Sequence, residues 1–152
     1  MALALSGAAL AACGPQISAA PAAGPGAQTG LEHMPLTINS ANGKHRFTVE
    51  VARTAQQQET GMMFRRSVAP NRGMIFPYDP PQFVAFWMKN TLIPLDMIFI
   101  RADGKIARIA TAKPLDETPV PSGDTVVAVL EIRGGRSAQL GIRAGDRVDW
   151  KR

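Results

Sequence analysis

The sequence predicts a small, mainly β domain with a minor α contribution. We expect a compact antiparallel sheet or a partly closed small β-barrel of about eight short strands, with two short helices. Short segments in which apolar and polar residues alternate are typical of half-buried strands. Clusters of Gly, Pro, Asn and Asp separate these segments at short intervals. The sequence shows neither an internal repeat nor a regular succession of strand and helix patterns, which disfavours a parallel α/β fold.

The first part of the domain is predicted to contain two strands and a helix. Residues 36–39 (LTIN) form a possible first strand, and residues 45–51 (HRFTVEV) alternate as a half-buried antiparallel strand does. Thr54 and Gln57 then resemble a capping box, and Gly61 stands where a helix of about two turns would end. We expect residues 62–71 to form a loop.

The central part contains the most apolar segment of the chain. Residues 73–76 (GMIF) predict a short strand that ends at Pro77, before an irregular proline-rich connection. Residues 83–88 (FVAFWM) and 97–100 (MIFI) are apolar on both faces, so each is predicted to be a strand covered on both sides. A membrane-spanning helix is disfavoured here, because Lys89 and Asp96 would each cost about 2.5–3.5 kcal/mol near its centre.

The last part is predicted to close the domain. Asp103 and Gly104 predict a type I′ hairpin that leads into a strand over residues 105–111. After a second proline-rich loop, residues 125–132 (TVVAVLEI) form the clearest buried strand of the chain. A short helix from about Ser137 to Leu140 and a final strand that ends near Trp150 complete the scaffold.

Composition limits the partners and cofactors. All 17 Lys and Arg and all 12 Asp and Glu lie in residues 31–152, which leaves a net charge of +5 there. No block of like charges is present, so nucleic acid is not expected as a partner. One cysteine and two histidines disfavour a zinc site of the usual kind, and we expect no metal and no cofactor. Five methionines of the β-rich segments are interpreted as core residues rather than as a copper site: Met62, Met63, Met74, Met88 and Met97.

The N-terminus carries a targeting pattern. Residues 1–13 are a short apolar run that ends in Leu-Ala-Ala-Cys, and this resembles the signal peptide of bacterial lipoproteins. The resemblance implies lipidation of Cys13, export to the periplasm and attachment to the membrane. A plain secretory signal and an alanine-rich terminus without such a role are the alternatives. Residues 14–34 have the composition of a flexible tether, and residues 35–152 form the predicted globular domain.

Five blocks of the chain resemble a known family, the "domain of unknown function 192" family, across roughly residues 35–150. The resemblance implies a small mostly-β domain, frequent export and no established activity. The blocks, in order, are GMMFRRS (61–67), NRGMIF (71–76), FWMKNTLIPLDMIFI (86–100), DGKIARI (103–109) and VLEI…LGIRAGDRV (129–148).

The polar residues inside the apolar segment are the first candidate site. A chain reversal is expected to bring Lys89, Asn90, Thr91 and Asp96 close together. Lys89 and Asn90 could donate hydrogen bonds to a ligand with Trp87 as a flat apolar wall, as in many small-molecule sites. Alternatively, Asp96 accepts loop N–H groups and pairs with Lys89, and the turn has only a structural role. The residues alone leave both interpretations open.

Two arginines and a glutamate extend the candidate site. Arg65 and Arg72 flank a loop, and their guanidinium groups could hold a carboxylate or phosphate if that loop folds over Trp87. They could equally be ordinary surface charges. Glu131 ends an otherwise apolar strand, so it either pairs with one of these arginines or marks the mouth of the sheet.

Three functional classes follow. The first is a membrane-tethered binding or accessory module for an unidentified polar or anionic small molecule or envelope component. The second is a hydrolase-type enzyme that uses Asp96 or Glu131 as a general base. The third is a purely structural envelope protein. The sequence contains no nucleophile elbow, zincin helix or phosphate-binding loop, and this favours the binding module.

Overall fold

The computed structural model describes residues 23–151, and the predicted fold class is confirmed. Within this part of the chain, nine strands and two short helices form a curled, half-barrel sheet and a small two-stranded sheet. The predicted signal segment at residues 1–13, with Cys13, lies outside the described residues, as do residues 14–22 of the predicted tether. No helix of residues 23–151 has the length and apolar character needed to cross a membrane.

The elements follow the predicted order with longer strands than the sequence suggests. Their bounds are β1 (His33–Ser40), β2 (Gly43–Val51), α1 (Ala55–Thr60), β3 (Arg72–Gln82), β4 (Ala85–Phe86), β5 (Leu95–Ile100), β6 (Ile106–Ala112), β7 (Val120–Pro121), β8 (Val126–Arg133), α2 (Arg136–Leu140) and β9 (Arg147–Trp150).

The seven-stranded sheet has the order β6-β5-β8-β3-β2-β1-β9. Its pairs are antiparallel except β2 and β3, which run parallel. A parallel neighbour requires a crossover, and α1 with the loop after it supplies that crossover. The two edge strands approach each other at one corner, where the Ile106 N–H donates to the Asp146 carbonyl at 2.9 Å and Lys105 bridges to Arg147. This contact closes part of the barrel.

Two apolar clusters lie on opposite faces of the sheet, because neighbouring side chains of a strand point to opposite sides. The inner cluster draws residues from both edge strands, such as Ile106 and Val148, and fills the interior of the curled sheet. The outer cluster includes Met74 and Phe76 of β3 and is covered by the segments after α1 and around β4. Four of the five methionines discussed above belong to this outer cluster: Met62, Met74, Met88 and Met97.

Several local predictions are confirmed. The Gln57 N–H donates to the Thr54 hydroxyl at 3.2 Å, and the Thr54 N–H donates to the Gln57 side chain at 3.0 Å. This is the predicted capping box, which satisfies N–H groups that the first helical turn leaves unpaired. The segments predicted as strands at 45–51 and 97–100 lie in β2 and β5, and every residue of β5 is buried.

The prediction for residues 83–88 is wrong. Only Ala85 and Phe86 form a strand, and they pair with β7 outside the main sheet. Phe83 and Trp87 are 70% and 46% exposed, so this segment is covered on one side only. Its apolar residues line the outer layer and the surface instead of the barrel interior, a distinction that residue type alone does not make.

Two turns also differ from the prediction. β3 does not end at Pro77 but continues to Gln82 through an irregular register with β8. The turn after β5 is not type I′, because that type needs positive φ at both central residues, and Gly104 has a positive φ (80°) whereas Asp103 does not. The Asp103 carboxylate instead accepts the Lys105 N–H at 2.9 Å, which stabilises a different reversal.

Residues 23–34, assigned by composition to the tether, contact the domain. The Gly24 N–H donates to the Phe64 carbonyl at 3.0 Å. The Gln28 amide donates to the carbonyl groups of Gln57 and Gly61 at 2.9 and 2.8 Å, at the end of α1. Among the described residues, contacts with the domain are therefore made from Ala23 onward, on the N-terminal side of residue 35.

Candidate ligand-binding cleft

The predicted polar turn follows β4 and is held by two loops. The Phe64 N–H donates to the Asn90 carbonyl at 2.9 Å, and the Leu115 N–H donates to the Thr91 carbonyl at 3.0 Å. Asn90 adopts a positive φ of 53°, which asparagine tolerates better than most residues. Lys89 is exposed, and its ammonium lies 5.1 Å from the centre of the Trp87 ring. The turn is thus a fixed surface feature beside Trp87.

Asp96 does not belong to this turn. Its carboxylate accepts the Thr111 hydroxyl at 2.7 Å and the Gly135 N–H at 2.8 Å through one oxygen. The other oxygen accepts the Ser137 N–H at 2.8 Å, at the start of α2. The pair with Lys89 that the structural interpretation required is therefore not formed. Asp96 instead fixes the loop between β8 and α2, and its hydrogen-bonding capacity is largely used.

Arg65 is buried in an ion pair on the outer face of the sheet. It is 2% exposed, and both terminal nitrogens of its guanidinium donate to the Glu50 carboxylate. One of them also donates to the Gln28 carbonyl at 3.1 Å, whereas the buried Nε has no partner among the described residues. A guanidinium held bidentately inside the protein is not free to bind an external anion. Arg72 is half-buried at the start of β3 and does not line the cleft described below.

Glu131 lies on β8 in the same row of the sheet as Glu50. Its neighbours across the two adjacent strands are Met74 and Met97. The side chain is buried, with 3% exposure, and no residue between 23 and 151 donates a hydrogen bond to its carboxyl group, whose oxygens are not fully enclosed. Burial raises the pKa of Glu131 to about 8, although the nearby charge of Arg65 acts in the opposite direction. Of the two interpretations left open for Glu131, the ion pair with Arg65 or Arg72 is not formed, because Arg65 pairs with Glu50 instead.

A cleft of about 200 Å³ opens above Glu131, between the end of α1 and the β4 segment. Its aromatic wall includes Phe76 and Phe86, whose ring centres are 5.0 Å apart in an edge-to-face contact. Tyr78 also lines the cleft, and burial, together with the charge of Glu131, raises its pKa well above the usual range. The full lining is Gln58, Glu59, Thr60, Gly61, Met62, Met63, Phe76, Tyr78, Ala85, Phe86, Trp87, Thr91 and Glu131.

The cleft unites only part of the predicted site. Trp87, Thr91 and Glu131 line it, and Lys89 and Asn90 lie beside it on the turn. Arg65, Arg72 and Asp96 do not line it. Sequence reasoning missed the contribution of α1 and of Tyr78. The sequence feature that could have identified Tyr78 as a site residue is its position, as the one tyrosine of the chain, within a proline-rich segment.

A larger cavity of about 670 Å³ adjoins the cleft, since Gln58 and Tyr78 line both, and it contains none of the predicted site residues. Its floor includes Met34, Val51, Ile75 and Val127, and Arg53 at its rim is already paired with Glu32 at 2.9 Å. The smaller cleft is the stronger candidate, because it contains a buried carboxyl group that no described residue satisfies. No group of three or more His, Cys, Asp or Glu within residues 23–151 could hold a metal ion.

Comparison with known proteins places the chain among uncharacterised relatives. Residues 37–150 match the model of the family described as DUF192, uncharacterized ACR. The fold is similar to a crystal structure of a protein of unknown function from Novosphingobium aromaticivorans DSM 12444, with 47% identity and a TM-score of 0.79, over 88% of this chain and 94% of that one. It is also similar to a proposed transcription regulator from Sinorhizobium meliloti 1021, with 38% identity and a TM-score of 0.78, over 81% and 97% of the two chains. No curated protein matches the chain.

Proposed function

The chain belongs to the DUF192 family, and we propose that it is an exported, membrane-tethered module that binds a small polar ligand in the cleft above Glu131. The observation that carries this proposal is the buried Glu131 carboxyl, which lines the cleft and receives no hydrogen bond from residues 23–151. Buried polar groups are almost always hydrogen-bonded in folded proteins. A ligand with a polar group at the floor of the cleft would supply the missing partner.

The shape and chemistry of the cleft support binding. Aromatic walls around a few polar groups are typical of small-molecule sites, since the walls contribute affinity and the polar groups fix orientation. Trp87 stands at the surface, and Thr91 adds a hydroxyl group. The ligand that this lining favours is polar rather than anionic, because the guanidinium of Arg65 is committed to Glu50.

The two alternatives draw less support from the same residues. A hydrolase would depend on Glu131 alone, because Asp96 is occupied by three donors from Thr111, Gly135 and Ser137. A purely structural role accounts for Glu50, which is paired with Arg65, but not for a buried Glu131 carboxyl group that lines the cleft without a donor from residues 23–151.

The binding proposal is tested by thermal unfolding against a panel of polar envelope compounds. A true ligand raises the unfolding midpoint progressively as its concentration increases above its Kd, because stabilisation grows with the logarithm of one plus the ratio of ligand concentration to Kd. We expect the rise in the wild type and in Phe83→Ala, and we expect Trp87→Ala to lose it. Phe83 is the matched control, because it is an exposed aromatic residue on the same segment that does not line the cleft. A panel that shifts no midpoint, or shifts all three proteins equally, would refute the proposal.

The export proposal depends on the lipobox-like sequence that ends at Cys13. It is tested by expressing the full chain in a bacterium fed a clickable fatty acid. We expect the wild-type chain to be labelled and found in the membrane fraction, and we expect Cys13→Ser to be unlabelled. A wild-type chain that is exported without label would indicate a plain secretory signal instead.

A further inference from the structure

We infer that the cleft above Glu131 selects a small organic cation, and that Glu131 receives its ammonium group. This inference rests on the proposed binding function and specifies the class of ligand. The first observation concerns the acidic and basic residues of the lining: Glu59 and Glu131 are its acidic residues, and no Lys, Arg or His of residues 23–151 lines the cleft. The chain carries a net charge of +5, so an all-acidic cleft is a local reversal of its overall charge.

The second observation is the charge of the groups buried behind the cleft. Glu50, Arg65 and Glu131 are each at least nine-tenths buried. When Glu50 and Glu131 are both ionised, their two negative charges exceed the one positive charge of Arg65 by one. An isolated buried charge is costly and is normally neutralised by a proton or by a partner. A monovalent cation at Glu131 would balance this cluster.

The third observation is the aromatic wall. Phe76, Tyr78, Phe86 and Trp87 surround the cleft, and the negative face of an aromatic ring attracts an ammonium group. The folded chain already provides one instance, since the Lys89 ammonium lies 5.1 Å from the centre of the Trp87 ring. A carboxylate with aromatic walls is therefore a receptor for an amine that has an apolar body.

Binding of such a cation is expected to displace a proton. At pH 7 about nine tenths of the Glu131 carboxyl groups would be protonated, given a pKa of about 8. An ammonium at the cleft floor favours the ionised form. The titratable groups that surround Glu131 are Arg65 and Glu50 behind it, Tyr78 on β3 and Glu59 on α1. Of these, Arg65 and Glu50 are already neutralised by each other.

The experiment compares three probes that share one ring and differ in their head group: benzylamine, benzyl alcohol and benzoate. Isothermal calorimetry at pH 7 would use the full-length Cys13→Ser chain, which lacks the proposed acylation site. We expect benzylamine to bind at least about tenfold more tightly than benzyl alcohol, with benzoate the weakest. Repeating the titration in buffers of different ionisation enthalpy should show release of close to one proton per bound amine.

Two variants locate the effect. Glu131→Gln keeps the shape of the side chain and removes its charge, so we expect the tenfold preference and the proton release to disappear together. Glu117→Gln is the matched control, because Glu117 is an exposed carboxylate that does not line the cleft, and the affinity of this variant should change by less than about threefold. Equal binding of benzyl alcohol and benzylamine would overturn the cation inference and leave the polar-ligand proposal standing. Failure of all three probes to bind would overturn both.

Discussion

Replacing Glu131 by glutamine is predicted to make the protein more stable at neutral and alkaline pH. Glu131 is buried, and its pKa rises from 4.5 in the unfolded chain to about 8 in the folded protein. The folded state therefore holds more protons than the unfolded state between these two values. The slope of the unfolding free energy against pH is proportional to the number of protons bound by the unfolded state minus the number bound by the folded state. This difference is negative here, so the unfolding free energy falls as pH rises through this window.

The size of the effect follows from the width of the window. The interval between 4.5 and about 8 is 3.5 pH units, and each unit corresponds to about 1.36 kcal/mol. The wild type should therefore lose on the order of 5 kcal/mol through this one group between pH 4 and pH 9. Roughly 3 kcal/mol of that loss is already present at pH 7. Glutamine has no titrating proton, so Glu131→Gln should lack this loss entirely.

Urea unfolding at pH 5, 7 and 9 measures this quantity. The informative value is the difference in unfolding free energy between Glu131→Gln and the wild type, because the other titrating groups cancel in it. We expect the difference to shift in favour of the variant by roughly 2–3 kcal/mol from pH 5 to pH 7 and further to pH 9. A pH-independent difference for Glu131→Gln would show that the carboxyl is already ionised in the folded protein, and the reasoning would fail.

Three further predictions concern the framework of the cleft, each measured by urea unfolding at pH 7. Arg65→Met should cost about 3–5 kcal/mol, because it leaves buried carboxyl groups without their guanidinium; a change under 1 kcal/mol would mean that the pair is solvated. Asp96→Ala should cost about 3 kcal/mol by leaving buried N–H groups at α2 unpaired, whereas a loss under 1 kcal/mol would contradict that cause. Gly73→Ala should cost about 1–3 kcal/mol, since its Cβ would overlap the backbone carbonyl oxygen of Glu131 on β8; wild-type stability would contradict this close approach.

Local signals in the sequence were sufficient for much of the fold. The alternation over β2 and the continuous apolar run of β8 each identify a strand, because the period of the side chains and their burial are properties of one segment. The capping box at Thr54 was equally readable, since its two hydrogen bonds join residues three apart. The structure of segments that depend on partners far away in the sequence could not be predicted from such local signals.

The candidate site illustrates the limit more clearly. Asp96 is held by the Ser137 N–H, 41 residues later in the sequence. Arg65 forms an ion pair with Glu50, which lies in the same row of the sheet as Glu131. Such pairings are set by the order of the strands and by the crossover through α1, and charge type alone does not select among several possible partners. Sequence reasoning therefore found Glu131, Trp87 and their neighbours as candidates but left the partners of Arg65, Asp96 and Glu131 undecided.

The contacts of Gln28 have a geometric consequence for a chain anchored through Cys13. The side chain of Gln28 donates hydrogen bonds to the end of α1, and its backbone carbonyl accepts one from Arg65. These contacts fix the segment around Gln28 next to the cleft. Ten residue steps separate Cys13 from Ala23, where the described contacts begin. Even a fully extended chain covers at most about 36 Å over that interval. Acylation of Cys13 would therefore limit the distance between the opening of the cleft and the bilayer surface to a few nanometres.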